Sequence, residues 1–194
     1  MFGYCFLMPY FGDYFMPGTV QEGFSVEING LKGDAWSSNY QSDLSTGFTS
    51  RLKGKNSGYD KGSSELEAGW DGDMNGLRIK QVVNLKNDKA YFTVGVTLKN
   101  ITPAVMKNVY YMRTVDPDNE VSLSSIYTTI NKIEYRLPNI YNKTLVTATG
   151  TTYKESYLGL GTKDCHRSCL QRVSSIQMGL DLLFDLHPLV VDLS

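Results

Sequence analysis

The chain has 194 residues, 41% of them apolar and 20% charged, with a formal net charge of −1. That length suits one sizeable domain or two small ones. The charge balance, without a basic stripe, excludes a nucleic-acid partner held by phosphate neutralisation, and no apolar run in the sequence reaches the ~18 residues a membrane-spanning helix needs.

Thirteen Tyr and eighteen Gly, with abundant Ser, Thr and Asn, suit pleated, half-buried strands joined by tight turns. The same composition is common on secreted and surface β-proteins, so the expected location is extracellular or at the cell surface. Three cysteines cannot all pair within one chain. Cys165 and Cys169 are spaced Cys-x-x-x-Cys, which is not a common zinc pattern.

The first fifteen residues are apolar but lack the basic region and cleavage site of a signal peptide, and read as an irregular strand. An export signal is then expected outside this sequence. Phe24–Ile28 alternates and ends at the turn pair Asn29-Gly30. Thr46–Lys53 and Glu65–Trp70 are further strand candidates. Residues 54–63 read as a loop, and the short basic run Arg51–Lys55 as solvated charge.

Residues 77–98 carry the clearest signal. Leu77, Ile79, Val83 and Leu85 alternate with polar residues, and so do Phe92, Val94, Val96 and Leu98. Asn87-Asp88 lies between the runs. A two-residue turn there pairs Lys86 with Lys89, Val83 with Phe92, Ile79 with Val96 and Leu77 with Leu98, so the two apolar faces coincide. Val105–Val115 reads as a third strand of the same meander. It is apolar on both faces in its second half, which predicts a second layer. Tyr127–Arg136 and Leu145–Thr149 complete the predicted strands.

From Leu170 the apolar residues Val173, Ile176, Leu180, Leu183 and Phe184 recur near helical spacing, predicting a short C-terminal amphipathic helix. The change of composition also admits a tail foreign to the fold. The expected organisation is a β-sandwich over 1–163 and a helical or non-native tail over 164–194.

Two acidic segments are candidate cation sites. Asp71-Gly72-Asp73-Met74-Asn75-Gly76 matches the first half of a calcium loop, because oxygen ligands at alternate positions of a tight turn converge. Val82 stands where an EF-hand needs Glu, so Asp71, Asp73 and Asn75 also read as a polar turn. Asp116, Asp118 and Glu120 crowd three carboxylates that must be solvated, capped or bridged. In a meander they would share an end of the sheet with Asp88, away from Asp71–Gly76. Calcium is the one cofactor these residues suggest.

No Gly-x-Ser-x-Gly, His-Glu-x-x-His or Walker-type motif is present. His166 and His187 both lie in the tail, and Glu65/Glu67 read as a solvated strand face. Trp36 and Trp70 could stack on sugars or serve as core residues. Asn100-Ile101-Thr102 and Asn142-Lys143-Thr144 match the glycosylation triplet.

Phe92–Glu120, with its V-x-L-x-N strand, polar turn and second aromatic strand, resembles strand pairs of secreted bacterial β-sandwich proteins. The resemblance is generic and names no family. It implies an all-β, antiparallel sandwich. The expected function is a non-enzymatic module for adhesion, structure or ligand binding, with carbohydrate or another protein as partner. The alternative is a carbohydrate-active or carbohydrate-binding sandwich using clustered carboxylates and Trp/Tyr.

Overall fold

Asn75 and Gly76 both take positive φ, 46° and 80°, the backbone of a two-residue type I′ turn. They join β6 (Glu65–Met74) to β7 (Leu77–Lys86), with Met74 opposite Leu77. Gly76 is required twice, because a Cβ there would also strike the Thr102 methyl. The computed structural model containing this hairpin describes residues 2–6, 23–28, 35–37, 50–115, 120–136, 143–162, 169–173 and 180–186.

β7 continues into β8 (Phe92–Asn100), but two residues out of the expected register. Leu85 lies opposite Phe92, Val83 opposite Val94, Ile79 opposite Leu98 and Leu77 opposite Asn100. The turn forms where predicted, with the Lys89 N–H donating to the Lys86 carbonyl at 3.1 Å. Neither Asn87 nor Asp88 takes positive φ, so the turn lacks the twist of a two-residue hairpin and residues 89–91 extend the loop. A shift of two leaves every side chain on its predicted face.

The meander ends at β8. Asn100 accepts from the Thr102 N–H at 2.9 Å and the Thr102 hydroxyl at 2.8 Å, and its Nδ2 donates to the Ala104 carbonyl at 2.6 Å. This side-chain turn, followed by Pro103, leads the chain off the sheet. β9 (Val109–Val115) therefore does not pair with β8 but lies between β2 (Gly23–Glu27) and β14 (Leu180–Leu186) in a second sheet.

Among the described residues the first sheet has eight strands. From one edge they run β10 (Thr129–Tyr135), β11 (Thr144–Gly150), β12 (Tyr157–Thr162), β1 (Phe2–Phe6), β8, β7, β6 and β5 (Gly54–Lys61). The second has six: β13 (Cys169–Val173), β14, β9, β2, β3 (Ala35–Ser37) and β4 (Ser50–Arg51). All pairs among the described strands are antiparallel except β3 with β4. The one described helix is the single turn α1 (Val121–Ser124). The all-β class is as predicted.

Two further expectations are corrected. Residues 54–61 form a strand, not a loop, through pairing with β6. The described part of the tail is the strands β13 and β14, not a helix. Leu180, Leu182, Phe184 and Leu186 also alternate with Asp181 and Asp185, a period of two that pairing with β9 selects over the helical one. The predicted boundary at 163/164 lies outside the described residues.

Both sheets feed one apolar cluster. Leu77, Ile79, Val94, Val146, Ala148, Leu158 and Leu160 come from the first, and Phe24, Val26, Val109, Tyr111 and Val115 from the second. Burying each such aliphatic side chain contributes about 1.5–3 kcal/mol. Contacts cross between the sheets. The Phe24 and Trp70 rings meet edge to face at 5.1 Å, and Arg113 Nη1 donates to Gln81 Oε1 at 2.8 Å.

Candidate functional site

The outer strands β5 and β6 carry the features that point outward from the fold. Gly54 and Gly72 flank the indole of Trp70, which a Cβ at either position would strike. With Phe24 on its other side, Trp70 is half-buried and belongs to the core rather than to a sugar-stacking platform. The side chain of Trp36 lies outside the described residues.

Along one row of the sheet, Val94 pairs with Val83, Val83 with Ala68 and Ala68 with Tyr59. Directly paired residues share a face, so all four lie on the core face. Burial falls along the row, from Val94 at 0% exposure to Tyr59 at 70%. The neighbouring row, Phe92–Leu85–Leu66, is half-buried to exposed. The core face of the first sheet therefore runs out towards solvent, in a strip where Tyr59, Ala68 and Leu85 are exposed and Leu66, Val83 and Phe92 are half-buried.

The opposite face of the same strands is a charge ladder. Lys55 lies opposite Asp71 and Asp71 opposite Lys80, while Asp73 pairs with Arg78 and Arg78 with Lys99. Arg78 Nε is 3.1 Å from Asp73 Oδ1 and 3.4 Å from Asp71 Oδ1, and Nη2 is 3.4 Å from Asp73 Oδ2. Thus Asp71 and Asp73 are strand residues, only Asn75 is in the turn, and a guanidinium stands between the two carboxylates. Lys55, Lys80 and Lys99 at the adjoining positions make this a poor place to desolvate a calcium ion. Among the described residues no three or more His, Cys, Asp or Glu side chains are grouped to hold a metal ion.

Glu120 is fully buried. Its Oε1 accepts from the Thr151 hydroxyl at 2.6 Å and from the Thr151 and Thr152 N–H groups at 3.0 and 3.1 Å. Its Oε2 accepts from the Thr152 and Tyr153 N–H groups at 3.0 and 2.6 Å. Desolvation pushes the carboxyl's pKa up, but the Thr151 hydroxyl and the three backbone donors outweigh it, and the net shift is downward. The Glu120 carbonyl meanwhile accepts from the Leu123 and Ser124 N–H groups of α1, both at 2.9 Å. With its lone pairs engaged by protein donors, Glu120 is a structural tie and has little left to offer a cation.

Asp116 and Asp118 lie outside the described residues. Asp88 sits on the exposed turn, 2.9 Å from Lys89 Nζ, whose hydrogen bond holds the Asp88 carboxyl below its usual value. Glu65 and Glu67 lie on the polar face opposite Lys86 and Asn84. Asn100 is 5% exposed with its amide engaged, which removes it as a sugar acceptor. Asn142, His166 and His187 lie outside the described residues.

The sequence reading missed the buried Gln81–Arg113 link. Gln81, at a core position of an otherwise apolar face, was the available signal. Its Nε2 has no hydrogen-bond partner among the described residues. No protein-family model, curated protein or solved structure matches this chain.

Proposed function

We propose that this chain is a non-enzymatic module of a secreted or cell-surface protein, making contact through the uncovered strip of its core face. The observation that carries the reading is the row from Val94 to Tyr59, which takes apolar sheet surface from 0% to 70% exposure. A contiguous exposed apolar surface with a polar rim is what adhesion and binding modules use. The acidic residues support the reading too. Asp71 and Asp73 are engaged by Arg78 and Glu120 by backbone donors, so none of the three is poised for acid–base work.

Carbohydrate is the second reading. The exposed Tyr59 ring is the observation that favours it, since a ring standing on a sheet face can stack on a sugar. Incubation of the purified chain with a panel of polysaccharides, assayed for both retention and release of new reducing ends, tests the main reading. Release of reducing ends would overturn it. Retention without release, lost in Tyr59→Ser, would identify sugar as the ligand of a non-catalytic module.

A further inference from the structure

Among the described residues β5 is an edge strand of the eight-stranded sheet, and all eight of its residues are exposed. An edge of this kind is a template for another strand, and its charges indicate which. On the polar face, Lys55 lies opposite Asp71 and Asp60 opposite Glu67. Asp71 already has Lys80 on its other side and Arg78 at 3.4 Å, so the Lys55 end holds surplus positive charge. At the Asp60 end two carboxylates face each other, a repulsive cross-strand pair, and the next residue along, Asn84, is neutral.

Lys55 and Asp60 are an odd number of positions apart, which in an unbroken strand puts them on opposite faces. The irregularity between Asn56 and Gly58 inserts Ser57 and brings both onto the polar face. The edge is thereby positive at one end and negative at the other on a single face. A two-fold rotation superposes each end on its complement.

We propose that β5 pairs antiparallel with β5 of a second copy of this chain, about a two-fold axis between Ser57 and Gly58. In that register Lys55 lies opposite Asp60 of the second copy, and Asp60 opposite Lys55 of the second copy. Asn56 lies opposite Tyr59 of the second copy on the core face, so the uncovered apolar strips of the two copies become continuous. A Cβ at Gly58 would meet nothing within 4 Å, so the ground beside the axis is open. The pairing stands whatever the strip itself binds.

Sedimentation velocity of the full chain under reducing conditions tests this. The wild type forms a concentration-dependent dimer. Lys55→Glu and Asp60→Lys each set like charges opposite one another twice per dimer and weaken dimerisation about tenfold or more. An equimolar mixture of the two variants restores opposite charges at both contacts, and the mixed dimer forms. Near-UV circular dichroism checks each fold, and the exchanged variant Lys55→Glu/Asp60→Lys, which regains dimerisation, serves if either single variant is unfolded. A wild type that stays monomeric at roughly 100 μM, a dimer indifferent to both substitutions, or a mixture that remains monomeric overturns the proposal.

Discussion

The carboxylate of Glu120 fills the space that a side chain at Gly150 would need. A Cβ at position 150 would strike Glu120 Oε2 and come within 2.6 Å of the Tyr153 carbonyl oxygen. Gly150 ends β11, and Glu120 begins the turn that follows β9, so the contact ties the connection leaving the second sheet to a hairpin of the first. Gly150→Ala must displace either the carboxylate or the 151–153 turn. The expected result is a fall in Tm of several degrees, read by differential scanning calorimetry, with the larger Gly150→Val more damaging still.

Glu120 also makes the fold sensitive to acid. Its pKa is lowered in the folded state from an ordinary 4.5. Its stabilisation is therefore fully present above that ordinary value and is lost as pH falls through the lower folded value. Tm should hold steady from neutral pH to about 5 and decline below it. Glu120→Gln should be less stable at neutral pH, because an amide offers the nest of N–H donors one acceptor oxygen in place of two. It should also show a flatter decline in acid. A parallel decline in both proteins would remove Glu120 from the account.

Gln81 and Arg113 meet in the core, one from each sheet. Gln81→Ala withdraws an acceptor from a buried guanidinium, and about 1–3 kcal/mol of stability should go with it. Gln81→Glu supplies a carboxylate to the same guanidinium and should be tolerated better at neutral pH than Gln81→Ala. Urea unfolding of the three proteins gives the order directly.

Asp71 and Asp73 are predicted to be indifferent to calcium. The guanidinium of Arg78 lies between them, and exposed ion pairs of this kind are worth about 0–1 kcal/mol. Asp73→Ala should lower Tm slightly and equally in calcium and in chelator. A calcium-dependent rise in Tm of several degrees that vanishes in Asp73→Ala would show that a cation displaces Arg78.

The hairpin from Leu77 to Asn100 was legible because alternation fixes which face of each strand is apolar, and both apolar faces must lie on the same side. Its exact register was not, because Asn87-Asp88 and Asn75-Gly76 look alike as turns, and only the pair with glycine takes the I′ backbone. β5 was hidden by its composition. Gly, Asn, Ser and Lys read as loop, and the strand forms because β6 presents a partner and Trp70 needs the bare backbone of Gly54. β9 leaves for the second sheet after a turn tied by the hydrogen bonds of one buried asparagine, Asn100, which alternation does not encode. Glu120 was noticed as a charge in a crowded turn. Its partners lie about thirty residues onward, beyond any local pattern.

The central claim is that the strip around Tyr59 is where this module makes contact. The most direct measurement is binding of the purified chain to a panel of surface polysaccharides and extracellular matrix proteins by interferometry, beside Tyr59→Ser/Leu66→Ser. The account predicts that the wild type binds a component of the panel and that the variant, with unchanged near-UV circular dichroism, loses that binding. Binding that survives both substitutions, or none by the wild type, would contradict it.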